Sequence, residues 1–224
     1  MDFNLFFILN TSVFVLQKQD CKLFDYLWQK QFDNLTMNDD INKALDVLRN
    51  GGVILYPTDT IWGLGCDATN ADAVRRIYEI KQRADNKSLI VLVDTAGRIP
   101  SYVQDVPDIA FDMIELATSP LTVIFEGAKN LAPNVINTDD QSVGIRVATD
   151  DFCPTLIQRF RKPIVSTSAN ISGQPAPACF DEIDERIIKS VDYVVSHRQD
   201  DTTKHKASGI VKIGRNGEVK VIRE

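Results

Sequence analysis

Val53-Ile54-Leu55-Tyr56 runs directly into Pro57-Thr58-Asp59-Thr60-Ile61-Trp62-Gly63-Leu64-Gly65. The four apolar residues, bounded by glycine before and proline after, read as a short buried strand. Upstream, Asn38 or Asp39 can cap a helix over about residues 40–49. Ile41, Ala44, Leu45 and Leu48 fall on one face of it, and Gly51-Gly52 stops it. Downstream, Asn70 starts a second helix carrying Ala73, Val74, Ile77 and Ile80, and Leu89–Val93 forms the next strand. Pro107 suits the first turn of a third helix through about Ala117. Leu121–Phe125 and Val143–Val147 read as strands, and Asp151 and Pro154 open a helix to about Phe160. Pro163–Ser166 is a strand, followed by a loop rich in Ser, Gly and Pro to Ala178. A helix over about 181–190 precedes a strand at 191–195. Ile210–Ile213 and Val219–Ile222 flank Arg215-Asn216-Gly217-Glu218, a hairpin signal. Helices and strands that interleave, then a closing hairpin, predict an α/β domain with a mixed sheet. No repeat, long linker or low-complexity tract divides it.

Composition supports a soluble globular chain. Of 224 residues, 44% are hydrophobic and 25% charged, which excludes a mostly disordered, collagen-like or multi-span membrane protein. Lys and Arg number 25 against 31 Asp and Glu, a net charge of −6. That balance disfavours broad electrostatic DNA binding while leaving room for a local basic pocket. Cys21, Cys66, Cys153 and Cys179 have no CxxC or zinc-finger spacing and read as reduced thiols, and His197 and His205 sit in no metal-ligand pattern.

Residues 1–36 differ from the rest. Phe3–Gln17 is mostly apolar but interrupted by Asn4, Asn10, Thr11 and Ser12, too short and polar for a membrane span and without a signal peptide's basic start. The expectation is an atypical N-terminal extension over 1–36, with Met37 as an alternative natural start and the catalytic domain over 37–224.

Four segments can carry chemistry. Loops at the carboxyl ends of buried strands often bind ligands, and Thr58 and Thr60 supply hydroxyls there while Trp62 supplies a flat wall. Lys81, Arg83 and Lys87 form a cationic run suited to a triphosphate, or to the carboxyl end of a helix. Arg146 lies inside the apolar strand begun by Ser142-Val143-Gly144, and needs a carboxylate partner from the protein or from a ligand. Ser166-Thr167-Ser168-Ala169-Asn170-Ile171-Ser172-Gly173 follows a strand with small hydroxyls, an amide and a glycine. It fits phosphate or ribose, or an ordinary turn; it lacks Walker spacing. No GxSxG, kinase or GxGxxG signature is present. Catalysis by positioning and charge stabilisation is the expected style.

Together these segments resemble the YrdC/TsaC family of L-threonylcarbamoyladenylate synthases, from about Ile41 to Arg223. The opening motif is similar to YPT[ED]TxYGLG, here Tyr56–Gly65; KxRPxxxPL corresponds to Lys81–Leu89; the strand with a buried arginine to Ser142–Val147; SAN to Ser168-Ala169-Asn170. The resemblance implies a twisted mixed α/β sheet flanked by helices, with a large open cavity. It implies a cytoplasmic nucleotidyltransferase that forms threonylcarbamoyl-AMP and pyrophosphate from L-threonine, bicarbonate or CO2, and ATP. A tRNA threonylcarbamoyl transferase complex would take the product; no membrane is involved, and direct contact with tRNA stays open. Carried over by position, Thr58, Thr60, Trp62, Arg146 and Ser208 bind L-threonine. Lys81, Arg83, Lys87, Ser142, Ser168, Asn170 and Arg223 bind ATP, Lys81 and Arg83 being catalytic. Mg2+ comes bound through the ATP phosphates. Ala84 and Ser88 replace usual prolines, Trp62 replaces tyrosine, Ala148 a common proline and Ala178 a common hydroxyl residue, and Gly209 and Lys212 depart from the late STV-like motif. The rival readings are a non-catalytic RNA-binding module using the same basic cavity, a nucleotide-binding regulator, and a carbamoyl-adenylate domain like that of hydrogenase maturation proteins.

Overall fold

The computed structural model describes residues 6–9, 12–15, 18–82 and 89–224. Arg83 and Lys87, and the departures Ala84 and Ser88, lie outside the described residues. β1 (Phe6–Leu9) and β2 (Ser12–Val15) pair antiparallel as a separate two-stranded sheet. The first helix, α1, runs from Lys18 to Arg49. This corrects the expected cap at Asn38 or Asp39, which both lie inside the helix. No glycine or proline interrupts Lys18–Arg49, so a helix once started propagates past residues that could cap it. Its exit matches expectation: Gly51 sits at φ +73°, and its N–H bonds Leu48 O at 3.1 Å.

The remaining elements alternate. β3 (Ile54–Tyr56) and β4 (Gly63–Gly65) lead to α2 (Ala71–Ile80), where Asn70 caps the N–H groups of Asp72 and Ala73. Then come β5 (Ile90–Val93), a 3₁₀ turn at Ala96–Ser101, α3 (Asp108–Glu115), β6 (Leu121–Phe125) and β7 (Val143–Val147). α4 (Phe152–Phe160), β8 (Ile164–Ser168), α5 (Glu185–Ser190), β9 (Tyr193–Val194), β10 (Gly209–Ile213) and β11 (Val219–Arg223) complete the order. The helix expected over 181–190 divides into a 3₁₀ turn at Phe180–Glu182 and α5, because Asp184 caps the N–H of Arg186 and restarts the chain.

Among the described residues, nine strands form one mixed sheet in the order β11-β10-β6-β7-β5-β8-β4-β3-β9. β4 has no apolar alternation to announce it. Its glycines are dictated by packing: a Cβ on Gly65 would lie 2.6 Å from Tyr56 Cε1, and one on Gly63 3.2 Å from Ser166 Oγ.

The two faces are covered unequally. On one face, Val91, Val93, Val123, Phe125, Ile145 and Val165 pack with Ala73, Val74 and Ile77 of α2. On the other, Ile54, Tyr56, Leu92, Ala148 and Ile164 are sealed by Ile41, Leu45 and Leu48 of α1 and by Phe152, Leu156 and Phe160 of α4. These helices cover only part of that face. The register places Ile90 beside Gly144 and Ser166, and Thr122 beside both Arg146 and Ile210. Ile90, Arg146, Ser166 and Ile210 line a hollow beyond the helical cover. Side chains alternate along a strand, so the sequence that fills the core at Leu92 and Ile164 points Ile90 and Ser166 into that hollow. Among the described residues no helix is long and apolar enough to cross a membrane.

Candidate active site

The hollow holds about 340 Å³ and is lined by Thr60, Ile61, Trp62, Gly63, Arg146 and Ser168, with Ser208, Ile210 and Arg223 across from them. Six of the expected site residues, from motifs far apart in sequence, thus share one wall system: Thr60, Trp62, Arg146, Ser168, Ser208 and Arg223.

The loop after β3 is braced from within. Thr58 Oγ1 donates to Ile61 O at 2.8 Å, accepts from Thr60 N at 3.0 Å, and lies 2.9 Å from Thr60 Oγ1. This fixes a tight exit from the strand and aims Thr60 at the cavity while Thr58 stays behind it. Trp62 is 5% exposed and rests on the Phe180 ring, centroids 4.9 Å apart, so its wall is supported from the back.

Arg146 finds a protein partner. Its Nη2 lies 3.0 Å from Asp59 Oδ1, both side chains being at most 4% exposed, and 3.5 Å from Thr58 Oγ1. The Nη2–Oδ1 contact is off the hydrogen-bond axis, which leaves Asp59 Oδ1 buried without a hydrogen-bond partner among the described residues, and Arg146 Nε is buried there without one as well. Burial pushes the Asp59 carboxyl up and Arg146 pulls it part of the way back. Thr149 Oγ1 donates to Asp59 Oδ2 at 3.3 Å.

Lys81 follows α2 as its cap residue, after which Gln82 turns into the left-handed region at φ +50°. The helix therefore ends at Ile80, and Lys81 itself is its cap. Lys81 is 2% exposed. Its Nζ donates to Ser168 O at 2.5 Å, Asn170 O at 2.8 Å and Asn170 Oδ1 at 3.2 Å. Ser168 Oγ donates to Asn170 Oδ1 at 2.5 Å, and Asn170 Nδ2 donates to Gln174 O at 2.6 Å. Lys81, Ser168 and Asn170 are one network at the end of β8.

At the opposite wall, Ser208 Oγ pairs with Thr122 Oγ1 at 2.8 Å, and Arg223 donates to Ser208 O from Nε at 3.0 Å and Nη2 at 2.7 Å. Ser142 is buried before β7 and does not line the hollow; its N–H bonds Asp140 Oδ1 at 3.1 Å. Two residues outside the expected set join the site. Asp59 lies between Thr58 and Thr60, and the demand of Arg146 for a carboxylate is a signal that some acid must meet it without saying which. Arg198 donates from Nη1 to Thr58 O at 3.1 Å, with Nη2 on Asp201 Oδ2 and beside His205 Nε2, both at 3.1 Å. Nothing local in the sequence marks Arg198.

Residues 46–224 match the family model for Sua5/YciO/YrdC proteins, described as telomere recombination. The chain belongs to the Sua5/YciO/YrdC family. Among its relatives, the threonylcarbamoyl-AMP synthase of Pseudoalteromonas translucida is 35% identical over 182 residues, 80% of this chain and 95% of the relative. The YciO structure from E. coli superposes with a TM-score of 0.72 at 26% identity, over 82% of this chain and 88% of that one. The P. abyssi Sua5 complexed with L-threonine superposes with a TM-score of 0.68 at 25% identity, over 77% of this chain and half of that longer chain. Both structures bear out the twisted mixed α/β sheet, and the Sua5/YciO/YrdC match covers all the described motifs from Ile54 onward.

Proposed function

We propose that this chain is an L-threonylcarbamoyladenylate synthase, a nucleotidyltransferase working in the cytoplasm for threonylcarbamoyladenosine modification of tRNA. The observation that carries the reading is the gathering of Thr60, Trp62, Arg146, Ser168, Ser208 and Arg223 around one hollow. The names of its relatives support the same activity.

The chemistry divides the hollow in two. L-Threonine sits toward Thr58, Thr60, Trp62 and Ser208, its carboxylate on Arg146. ATP is assigned to Ser168 and Arg223 in the lining, to Lys81 and Asn170 tied to Ser168 behind it, and to Ser142, which is buried before β7 and outside the lining; Arg83 and Lys87 are assigned to the phosphates. The threonine amine adds CO2 to give an N-carboxylate, losing a proton. That carboxylate attacks the α-phosphorus, a new P–O bond forms, and pyrophosphate leaves with the electron pair of the broken bond. Lys81 and Arg83 offset charge developing on the phosphates, and no protein nucleophile is needed. The lining residues offer hydroxyls and guanidinium groups rather than carboxylates, imidazoles or thiols, which suits Mg2+ carried by ATP phosphates and water. Mg2+ so held supplies further charge neutralisation. The product passes to a tRNA threonylcarbamoyl transferase complex.

The test is incubation with ATP, L-threonine and bicarbonate, with mass spectrometry of the product and a pyrophosphate assay. Threonylcarbamoyl-AMP should form only when all three are present, and Arg83→Ala should abolish it. RNA binding without turnover would instead support a non-catalytic RNA-binding module, and ATP binding indifferent to threonine a regulator.

A further inference from the structure

Arg146 and Asp59 are a buried pair of opposite charge at the wall of the hollow, and the pair is incompletely satisfied. Each is at most 4% exposed; Arg146 Nε and Asp59 Oδ1 lack hydrogen bonds, although the charges lie 3.0 Å apart. A buried ion pair whose role is purely structural gains from completing those bonds, since each missing one costs free energy. This pair instead leaves one donor and one acceptor unspent at the edge of a ligand cavity.

Its net charge also matters. Arg146 alone would draw any small carboxylate. With Asp59 beside it the pair is neutral, and a monoanion brought there adds an uncompensated charge to a poorly solvated place. A zwitterion adds no net charge: its carboxylate meets Arg146, which lines the hollow, and its ammonium balances that carboxylate in the field of the neutral pair, without contact with Asp59 behind the wall.

We propose that Asp59, acting through Arg146, is the specificity-determining residue that makes the site select a zwitterionic amino acid over a carboxylic acid lacking the amine. The proposal rests on the reading of Arg146 as the partner of the threonine carboxylate. Thr149 on Oδ2 keeps Oδ1 turned to Arg146. Asp59 is a positioning group here, since it lies behind the cavity wall.

The test is calorimetric titration of the full chain with L-threonine and with (R)-3-hydroxybutanoate, the same skeleton without the amine. The wild-type chain should prefer threonine by at least about 100-fold, the scale of leaving a buried charge unpaired. Asp59→Asn should cut that preference to below about 10-fold, by weakening threonine and strengthening hydroxybutanoate. Asp59→Glu, which keeps the charge, should restore most of it. A merely structural role would weaken both ligands together and leave the ratio alone. An Asp59→Asn chain that keeps the wild-type ratio overturns the proposal. If Asp59→Asn does not fold, the wild-type ratio decides: equal binding of the two compounds overturns it. A wild-type chain that binds no threonine overturns the functional reading itself, a distinct result.

Discussion

The Lys81 ammonium lies 2.5 Å from the carbonyl oxygen of Ser168, bridging the end of α2 to the end of β8. The Lys81 carbonyl returns the link by accepting from Ser172 N at 2.9 Å. The amine offers three donors, and three acceptors of the 168–170 segment already take them. A phosphate therefore reaches this lysine by sharing or displacing one of those bonds. Lys81 shapes the end of β8, and on the proposed reading it also stands to charge the wall that meets ATP.

Lys81→Ala should for that reason lose activity and stability together. Pyrophosphate release should fall at least about 100-fold. Two part-buried carbonyls lose their donor, at a cost of about 1–3 kcal/mol, within what a folded domain of this size withstands. A pyrophosphate assay and urea unfolding check the two parts; unchanged turnover would detach Lys81 from the site.

Gly65→Ala tests the fold without touching a cavity residue. The added methyl would sit 2.6 Å from Tyr56 Cε1 and 3.0 Å from Val165 O, both in packed surroundings. Relief requires shifting β3 or β8, and the expected cost is about 2–3 kcal/mol, read as a lower urea midpoint.

What could be read from the sequence follows from which signals are local. β6 and β7 fall where apolar runs predicted them, because a buried strand needs little more than such a run. β4 is hidden in the sequence because Gly63 and Gly65 have low strand propensity, the Ser166 hydroxyl that crowds Gly63 is distant in sequence, and the nearby Tyr56 ring meets Gly65 only once β3 and β4 pair. α1 exceeds the span that its cap signal predicts because a favourable cap at Asn38 does not stop a helix that arrives already formed. The demand of Arg146 for a carboxylate was legible; that Asp59 supplies it was not, since β7 and the 57–62 loop meet only in the folded sheet. The acceptors of Lys81 include backbone carbonyls, which no side-chain pattern encodes.

His197 should make stability depend on pH. It is half-buried, stacks on Phe152 with centroids 5.9 Å apart, and burial followed by Arg198 lowers its pKa below the usual 6.5. The unfolded chain therefore binds the proton first as pH falls. Stability should be full above the ordinary histidine range and decline as pH drops through 6.5 toward the lower folded value. His197→Gln should flatten this slope in urea unfolding followed from pH 8 to 5; an unchanged slope would assign the effect to another group.

Arg198 ties the segment before β10 to the loop after β3, and its backbone is strained while doing so. Its φ is +64°, a region that disfavours side chains with a Cβ, yet its guanidinium reaches Thr58 O at 3.1 Å and Asp201 Oδ2 at 3.1 Å. Arg198→Ala keeps the strain and loses the tie; Arg198→Gly loses both. If the tie positions the Thr58–Trp62 loop, both variants should raise the KM for threonine by about 10-fold, the worth of one charged hydrogen bond, with kcat and the KM for ATP little changed. Their stabilities should separate, the glycine variant exceeding the alanine variant by about 1 kcal/mol through relief of the left-handed backbone. A KM for threonine unchanged in both would limit Arg198 to its own loop, and a KM raised in only one would trace the effect to backbone conformation rather than to the Thr58 contact.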